Sequence, residues 1–408
     1  MSQQEFSAMK IQRLPLDRLS TLAPNIIETI LCLIPFRDAA RTSVLSKEWR
    51  YNWTKIPKLE FDEDTFQVAA DEKSLFNAVY QVLLQHQGPI VEFSLSMVES
   101  DTCVEVDHII HCLSRMNTVK KLCLGYLCRI PLDVFSLHQL TDLHLDECHV
   151  QPQLTFDGFS SITTLEIDHI EIFKSTLVHL LSKCPLLKTL SLLQAHDLIC
   201  SDDKSGLIEL FECLPVIENL TIDLFGIRCF CEGEHPRKLP TSLYKLKYIC
   251  LDDVLLCGHS YFGMPFLALL FRASPNVEKI KLSTYAYEES DVGEDYEDEE
   301  SDVDEDYEDK ELDIGEHYSD VQLKTLNELE IENLGTQKPE LEFVKFMLVK
   351  SPVLKTLRIS LNYKVAEDKE LEMLNILLSC PHASPVVEIT LHRDFRMQAT
   401  WRDAIGLV

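Results

Sequence analysis

Residues 177–192 read LVHLLSKCPLLKTLSL and contain one unit of a pattern that recurs along most of the chain. The segment 177–184 has apolar residues at helical spacing, which predicts a short helix with one buried face. Pro185 ends that helix, because proline lacks the backbone donor that a helix interior needs. Leu187, Leu190 and Leu192 then follow in the frame L-x-x-L-x-L, whose last residues alternate as in a strand. The stretch therefore predicts a helix, a proline stop and a short strand.

The same frame occurs eleven times, mostly at a spacing of about 21 to 32 residues. The frames are Ile90/Phe93/Leu95, Val119/Leu122/Leu124, Leu140/Leu143/Leu145, Ile162/Leu165/Ile167, Leu187/Leu190/Leu192, Ile217/Leu220/Ile222, Leu246/Ile249/Leu251, Val277/Ile280/Leu282, Leu326/Leu329/Ile331, Leu354/Leu357/Ile359 and Val386/Ile389/Leu391. This period is near or just above that of leucine-rich repeats, whose stacked units share one continuous core. The pattern predicts an α/β fold in which the frame residues form that core.

Segments between the frames support the same fold. Five of them have an apolar helical face and end at a proline: 177–184, 207–214, 266–273, 343–350 and 371–380. Parallel strands need such crossover connections, because consecutive strands run in the same direction. We therefore predict a leucine-rich-repeat solenoid of parallel strands joined by helical crossovers.

Alternation along each strand predicts which side chains face away from the core. The residues beside and between the frame leucines then line the concave face, which is acidic through its middle with one basic step at Lys279 and Lys281. The candidate substrate-binding residues are Asp142, His144, Asp146, Glu166, Asp168, Asp223 and Asp252. Two interpretations stay open: a solvated surface, or a face that steers a partner of basic character.

Cations on this face are few and scattered: Lys121, Lys279, Lys281 and Arg358. They do not converge on one point, as a pocket for a small anion would require, so we predict no cofactor. The best metal-ligand candidates are Cys229, Cys231, His235, Cys257 and His259. They lack the paired CxxC spacing of a zinc site, and chance clustering is the stronger account. We predict no metal site.

The regular array is interrupted at residues 288–320, which hold nineteen acidic residues and one lysine. Like charge at this density cannot collapse into a core, so a disordered loop is predicted. The segment is either a tolerated surface insertion or a regulated contact. The second interpretation rests on Ser301, which has Asp304 three residues later in a weak acidic-kinase pattern.

Composition excludes several classes of function. The chain has 408 residues and a net charge of −29, and its pI near 4.8 would repel nucleic-acid phosphates. Its fourteen cysteines fall largely in apolar stretches, as expected of buried thiols in a reducing compartment. With no membrane-length apolar run and no signal pattern, we expect an intracellular protein of the cytoplasm or nucleus. Phosphate-loop, G-x-S-x-G and H-E-x-x-H motifs are absent, so no enzyme activity is predicted.

Residues 14–53, LPLDRLSTLAPNIIETILCLIPFRDAARTSVLSKEWRYNW, carry more apolar surface than about forty residues can bury among themselves. Helical spacing between Pro24 and Pro35 predicts a first helix, with the face Ile27, Ile30, Leu31 and Ile34. A second short helix begins at Phe36, and Ser46 can cap a third that carries Trp49 and Trp53. The surplus of apolar residues implies a partner.

This stretch closely resembles a plant F-box. The matching positions are Leu19, Leu22, Pro24, Ile26-Ile27-Glu28, Ile34-Pro35, Arg37-Asp38-Ala39, the run 41–50, Trp53 and 59–62. One departure is the order Leu22-Ala23-Pro24, since F-box proteins usually place proline directly after the leucine. The resemblance implies docking on a Skp-type adaptor of a cullin–RING ubiquitin ligase. The adaptor contacts it implies are Leu19, Leu22, Pro24, Ile27, Ile30, Leu31, Ile34, Val44, Leu45 and Trp49.

Residues 321–393 resemble the FBD domain that commonly follows the repeats in plant F-box proteins, and they read as further strand–helix units with a final strand that caps the array. The chain is thus similar to the plant F-box/FBD/LRR-repeat family. The predicted organisation is a flexible N-terminus (1–12), a three-helix F-box (13–58), a connecting segment (59–89), leucine-rich repeats (90–287), a disordered acidic insertion (288–320), the FBD domain (321–393) and a tail (394–408).

The resemblance implies a substrate-recognition subunit of a Skp–cullin–F-box ubiquitin ligase. In that role the F-box would hold the adaptor, and through it the cullin and RING subunits, while the repeats would hold a protein substrate. An alternative is a scaffold or decoy that binds the adaptor or a partner without ubiquitin transfer. In either case no membrane or nucleic-acid partner is expected.

Overall fold

The computed structural model of the chain describes residues 22–47, 49–62, 72–100, 103–127, 129–150, 158–170, 172–194, 198–199, 206–231, 239, 242–254, 256, 263–284, 318–363 and 365–393. Several predictions fall outside these residues. They concern the N-terminus (1–12), Leu19, the possible kinase site at Ser301, the tail (394–408) and the metal candidates, of which only the backbones of Cys229 and Cys231 are described.

The described residues form fourteen strands. They are β1 (Lys58–Asp62), β2 (Glu92–Ser100), β3 (Lys121–Leu127), β4 (Asp142–Asp146), β5 (Thr164–Asp168), β6 (Ile172–Phe173), β7 (Thr189–Leu193), β8 (Leu198–Ile199), β9 (Asn219–Asp223), β10 (Tyr248–Val254), β11 (Lys279–Thr284), β12 (Glu328–Leu334), β13 (Thr356–Leu361) and β14 (Glu388–Arg393). Strands β6 and β8 pair with each other, and the other twelve form one parallel sheet in chain order. All eleven predicted frames lie on strands of this sheet, which confirms the solenoid.

A twelfth frame, Ile56/Leu59/Phe61, was missed in the sequence. It forms β1, which pairs with β2 in the register Leu59 to Phe93 and Phe61 to Leu95. The predicted connecting segment 59–89 therefore contributes the first strand of the sheet and the helix that follows it. The array begins directly at the end of the F-box.

Ten α-helices accompany the strands in the described residues. They are α1 (Pro24–Cys32), α2 (Phe36–Arg41), α3 (Glu72–Gln85), α4 (Cys103–Met116), α5 (Lys174–Ser182), α6 (Leu207–Glu212), α7 (Leu224–Cys231), α8 (Met264–Ala273), α9 (Lys338–Lys350) and α10 (Glu367–Ser379). The five helices predicted before prolines are confirmed as α5, α6, α8, α9 and α10. None of the described helices is long and apolar enough to cross a lipid bilayer.

The F-box differs from the predicted three helices. Two α-helices, α1 and α2, are followed by 3-10 turns at Thr42–Val44 and Asn52–Lys55. The Ser46 hydroxyl does accept a hydrogen bond from the Trp49 backbone N–H at 3.3 Å, as a cap would, but no third α-helix follows it in the described residues. We attribute the difference from the predicted third helix to packing, because the two tryptophans contact different partners. Trp49 is buried beside α1, whereas Trp53 also packs against Phe36.

Frame residues form a core that runs through the whole array, as predicted, except at its end. Val386 is 68% exposed, and Ile389 and Leu391 are only partly buried. Strand β14 is the last strand of the described sheet, so its side chains have a neighbouring strand on one side alone. The prediction of a buried core was therefore wrong at this frame.

The disordered acidic insertion was predicted to run to residue 320, but its last three residues are ordered. Residues 318–320 form a turn in which Tyr318 is buried. The Arg272 guanidinium of α8 donates two hydrogen bonds to Asp320, at 2.7 and 2.8 Å. This bidentate contact holds the end of the acidic segment on the array. Most of that segment, residues 288–317, lies outside the described residues.

Candidate partner-binding surfaces

A small core of its own holds the F-box together. Ile27, Leu31, Ala39, Trp49 and Ile56 are buried in it, apart from the main core of the array. Three predicted adaptor contacts, Ile27, Leu31 and Trp49, are therefore interior residues and do not face a partner. The physical reason is that helical periodicity identifies the side of a helix that packs inward. These three predictions are corrected.

Five other apolar residues of the F-box are exposed, and we call this set the F-box apolar cluster: Ile26, Leu33, Val44, Leu45 and Tyr51. Val44 is 85% and Leu45 is 64% exposed, and both were predicted adaptor contacts. Of the other predicted contacts, Leu22, Ile30 and Ile34 are half-buried and Pro24 is exposed. Ile26, Leu33 and Tyr51 are also exposed, but they were not among the predicted adaptor contacts. Their signal was that they are large and apolar, and that Ile26 lies out of phase with the buried face of α1.

The surroundings of the cluster are basic, in contrast to the acidic chain. Residues 36–58 contain six lysines and arginines against two acidic residues, a net charge of +4. A groove of about 530 Å³ lies beside Val44, and Lys47, Arg50, Tyr51 and Trp53 are among its lining residues. We call the lysines and arginines of residues 36–58 the basic rim of the F-box apolar cluster. Exposed apolar residues in a segment of positive charge fit a partner surface that is apolar and acidic.

The second surface is the open face of the sheet, defined as the alternate strand side chains that do not enter the core. In β4 and β5 every second residue is buried and the residues between them are half-exposed, as predicted. Asp142, His144 and Asp146 lie opposite Thr164, Glu166 and Asp168 in register. The sheet thus brings five of the seven predicted substrate-binding residues onto two neighbouring strands.

His144 lies between two carboxylates of β5. Its Nδ1 is 2.9 Å from Glu166 Oε2, and its Nε2 is 3.7 Å from Asp168 Oδ2. Burial alone would lower the pKa of His144, but the hydrogen bond with Glu166 and the charges of Asp168 and Asp146 raise it above its usual value. The same hydrogen bond lowers the pKa of Glu166. His144 and Glu166 therefore favour each other's charged form, and Asp146 and Asp168 place two further carboxylates beside them.

Asp223 does not belong to the open face, which corrects another prediction. Its side chain is almost fully buried at the end of β9. One carboxylate oxygen accepts a hydrogen bond from the Gly226 backbone N–H at 2.8 Å, and the other accepts from the Gln194 backbone N–H. Asp223 thus ties the first turn of α7 to the end of β7. Asp252, opposite Asp223 in register, is half-exposed as predicted.

The two lysines of β11 on the open face are neutralised by glutamates of the next strand. Lys281 Nζ lies 2.9 Å from Glu332 Oε1, and Lys279 Nζ lies 3.4 Å from Glu328 Oε2. Both glutamates belong to β12, which pairs with β11. The lysines predicted to interrupt the acidic face are therefore already paired across neighbouring strands. The excess of negative charge on the face lies mainly near β4, β5 and β10.

A shallow groove crosses the open face at β1–β5. Its volume is about 360 Å³, and its polar lining includes Glu60, Glu92, Lys121, Asp142 and Glu166. Within it, Lys58 Nζ lies 2.6 Å from Glu60 Oε1, and Lys121 Nζ lies 3.9 Å from Glu92 Oε1. Such a groove, polar and open along the sheet, is suited to an extended polypeptide segment.

Comparison with known proteins agrees with this architecture. Residues 128–221 match the family model described as "At1g61320/AtMIF1, LRR domain". The chain is 29% identical over 430 residues to the F-box/FBD/LRR-repeat protein At1g13570 of Arabidopsis thaliana. The alignment covers 93% of this chain and 99% of that protein. The chain is similar to plant F-box/FBD/LRR-repeat proteins over nearly its whole length. In this chain the repeat array and the predicted FBD region share one sheet, since β12, β13 and β14 continue it without a break.

Other relatives match over shorter stretches. The FBD-associated F-box protein At5g56370 of Arabidopsis thaliana is 32% identical over 254 residues, covering 60% of this chain and 55% of that protein. The F-box/LRR-repeat protein At3g59200 of the same species is 32% identical over 193 residues, covering 43% of this chain and 36% of that protein. F-box proteins of this kind imply an adaptor-type binding partner.

Proposed function

We propose that the protein is the substrate-recognition subunit of a Skp–cullin–F-box ubiquitin ligase. The observation that carries the proposal is the exposed F-box apolar cluster with its basic rim. Large apolar side chains gain free energy when a partner removes them from water. Similarity to F-box proteins of Arabidopsis thaliana supports a Skp-type adaptor as that partner. Because such adaptors work inside cells, we also propose an intracellular location.

The mechanism of such a subunit is positioning. The catalytic cysteine belongs to a separate ubiquitin-conjugating enzyme, and this chain raises the effective concentration of substrate lysines near it. Positioning requires a rigid connection between the two binding surfaces. Trp53 packs against both the F-box core and the array core, which supports such a connection.

Adaptor binding is tested with Val44→Asp combined with Leu45→Asp. Both side chains are exposed, so the double variant keeps its fold while carboxylates replace the apolar contacts. The matched control is Leu371→Asp with Leu378→Asp, a similarly exposed pair on α10 at the other end of the array. We expect the first variant to lose a co-expressed plant Skp-type adaptor and the control to retain it. Retention by both variants would overturn the proposed surface.

Substrate binding is proposed for the open face near β4 and β5, with a partner segment of basic character. Asp142→Lys with Glu166→Lys reverses the charge of the groove there without touching the F-box. Affinity purification from proteasome-inhibited cells compares this variant with the Val44/Leu45 variant. Substrates should be lost with the first variant and kept with the second, whereas adaptor, cullin and RING subunits should show the opposite pattern. If both variants retain the same partners, the open face does not bind substrate.

The alternative is a scaffold or decoy. It would bind the same partners as a ligase subunit, but the bound partner would not become ubiquitinated. Reconstitution with adaptor, cullin, RING protein and a charged conjugating enzyme distinguishes the two. A bound partner that becomes ubiquitinated supports the ligase subunit. A partner that stays bound and unmodified supports the decoy.

A further inference from the structure

Two neighbouring repeats carry ligand-type side chains at the same place. Asp146 ends β4 and Asp168 ends β5, and the two residues lie opposite each other in register. The next residues, Glu147 and His169, share the same left-handed backbone, each with φ of 47°. Neighbouring strands lie about 4.8 Å apart, so equivalent residues of successive repeats stack on one another. The repeat geometry therefore stacks Asp146–Glu147 against Asp168–His169.

These residues approach closely enough to share one ion. One donor atom each from Asp146, Glu147 and His169 lies within 4.8 Å of the other two. The His169 Nδ1 is 3.4 Å from Asp146 Oδ1. Donors around a first-row divalent ion at about 2.1 Å are separated by about 3 Å, so small side-chain rotations suffice to close the set.

The carboxylate of Asp168, which lies on the same strand end, is incompletely paired. Asp168 Oδ1 is shielded from solvent and has no hydrogen-bond partner among the described residues. The whole side chain is only 19% exposed, and its second oxygen is 3.7 Å from His144 Nε2. An unpartnered buried carboxylate oxygen is costly. Asp168 directly precedes the donor His169, so a positive charge at the cluster would lie close to this carboxylate.

Among the described residues, this set of three donor side chains occurs only at this pair of repeats. Other strand ends have the same left-handed residue, including Tyr126, Gln194, Asp253 and Asn333. Within the part of the chain that the structure describes, no second group of three histidine, cysteine or carboxylate donors comes together in this way. The backbone geometry is therefore common to the array, whereas the donor set is not.

We propose that Asp146, Glu147 and His169 bind a divalent cation at the edge of the open face, with Asp168 supporting the site from beside it. The donor set of one imidazole nitrogen and two carboxylates suits Mn²⁺ or Zn²⁺ better than a carboxylate-only ion such as Mg²⁺. Asp146 and His169 are partly exposed, so water or a partner group can complete the coordination. The bound ion would join the ends of two repeats beside the groove at β1–β5.

Mn²⁺ is the probe of choice, because it binds oxygen and imidazole and avoids the chain's many thiols. Full-length protein is titrated with Mn²⁺ in an excess of Mg²⁺, which occupies carboxylate-only sites such as the acidic segment. The EPR signal of free Mn²⁺ gives the affinity, and pulsed EPR detects a directly bound imidazole nitrogen. We expect one tight site per chain with nitrogen coupling.

The variants are His169→Asn and Glu147→Gln, with Asp253→Asn as the matched control. Asparagine tolerates the left-handed backbone, so the fold is kept at residues 169 and 253. Each ligand variant should weaken Mn²⁺ binding at this site at least tenfold, and His169→Asn should remove the nitrogen coupling. The control should bind as the wild type does. Absence of a nitrogen-coupled site in the wild type, or unchanged binding in both ligand variants, overturns the proposal.

Discussion

Phe36 of the F-box and Phe61 of the first array strand lie with their ring centroids 5.5 Å apart. Phe36 also meets Trp53 edge-to-face at 5.9 Å, and Phe61 meets Phe93 of β2 at 5.7 Å. A continuous row of aromatic side chains thus leads from the F-box into the array. This row fixes the orientation of the F-box apolar cluster relative to the open face.

Phe36→Ala should destabilise the whole chain. Phe36 is buried in the array core, so its loss leaves a cavity and should cost about 3–5 kcal/mol. Urea denaturation measures the change in the free energy of unfolding. Leu33→Ala is the control, because Leu33 is 80% exposed and its loss should change stability by about 0.5 kcal/mol or less. Equal effects of the two substitutions would contradict the aromatic connection.

Gly88→Ala should weaken the junction between F-box and array. A Cβ at Gly88 would lie 2.9 Å from the Lys55 carbonyl oxygen, which is backbone and cannot rotate away. The adjacent Gln87 N–H donates to the Thr54 carbonyl at 2.8 Å, so a shift there breaks a cross-junction hydrogen bond. We expect a loss of about 1–3 kcal/mol in thermal or urea unfolding.

Gly125→Ala provides the comparison, because its Cβ would meet only ordinary contacts with Ser96, the nearest at 3.4 Å. Its stability should stay near that of the wild type. A junction that tolerates alanine at position 88 as well as at position 125 would mean that the F-box is less tightly fixed than we infer.

His86 at the junction should make stability depend on pH. Burial lowers the pKa of His86 below its usual value near 6.5. Between the folded and unfolded pKa values the unfolded chain binds more protons, so the stabilisation is complete above about pH 6.5 and falls as the pH drops below it. His86→Gln should reduce this loss on acidification, measured as urea unfolding at a series of pH values. His392→Gln is the control, because His392 is exposed, and it should leave this loss unchanged. Identical profiles of stability against pH for the two variants would contradict the role of His86.

Adaptor binding should weaken as salt rises. The basic rim of the F-box steers an acidic partner surface, and its charges are screened beyond about 10 Å at 0.1 M salt. Lys47→Glu with Arg50→Glu should lower the association rate about tenfold at low salt, while Val44→Asp with Leu45→Asp should mainly raise the dissociation rate. Surface plasmon resonance separates the two rates. A salt-independent association rate would argue against electrostatic steering.

The sequence predicts the architecture well because the repeat is a local pattern. Each frame residue such as Leu190 belongs to a strand in which buried and exposed side chains alternate. Each proline such as Pro185 ends the helix directly before it. Stacking then follows from the need of every unit to cover its apolar side. Val386 departs from the rule because it lies just before the last described strand, and the position of a unit in the array is not visible in one frame.

The binding surfaces are harder to predict from the sequence. Helical periodicity marked Ile27 and Leu31 as important, but periodic apolar residues are those that pack inward. Alternation placed Asp223 on the open face, whereas the turn after β9 buries it on backbone donors. The contact of His169 with Asp146 depends on two chain reversals one repeat apart, and neither reversal has a strong sequence signal.

Hydrogen–deuterium exchange of the chain, alone and with a plant Skp-type adaptor, tests the central claim most directly. The account predicts that the adaptor slows exchange of backbone amides within residues 33–51 and leaves strands β4, β5 and β14 unchanged. Protection that is absent from residues 33–51, or that appears on the open face at β4 and β5, would contradict it.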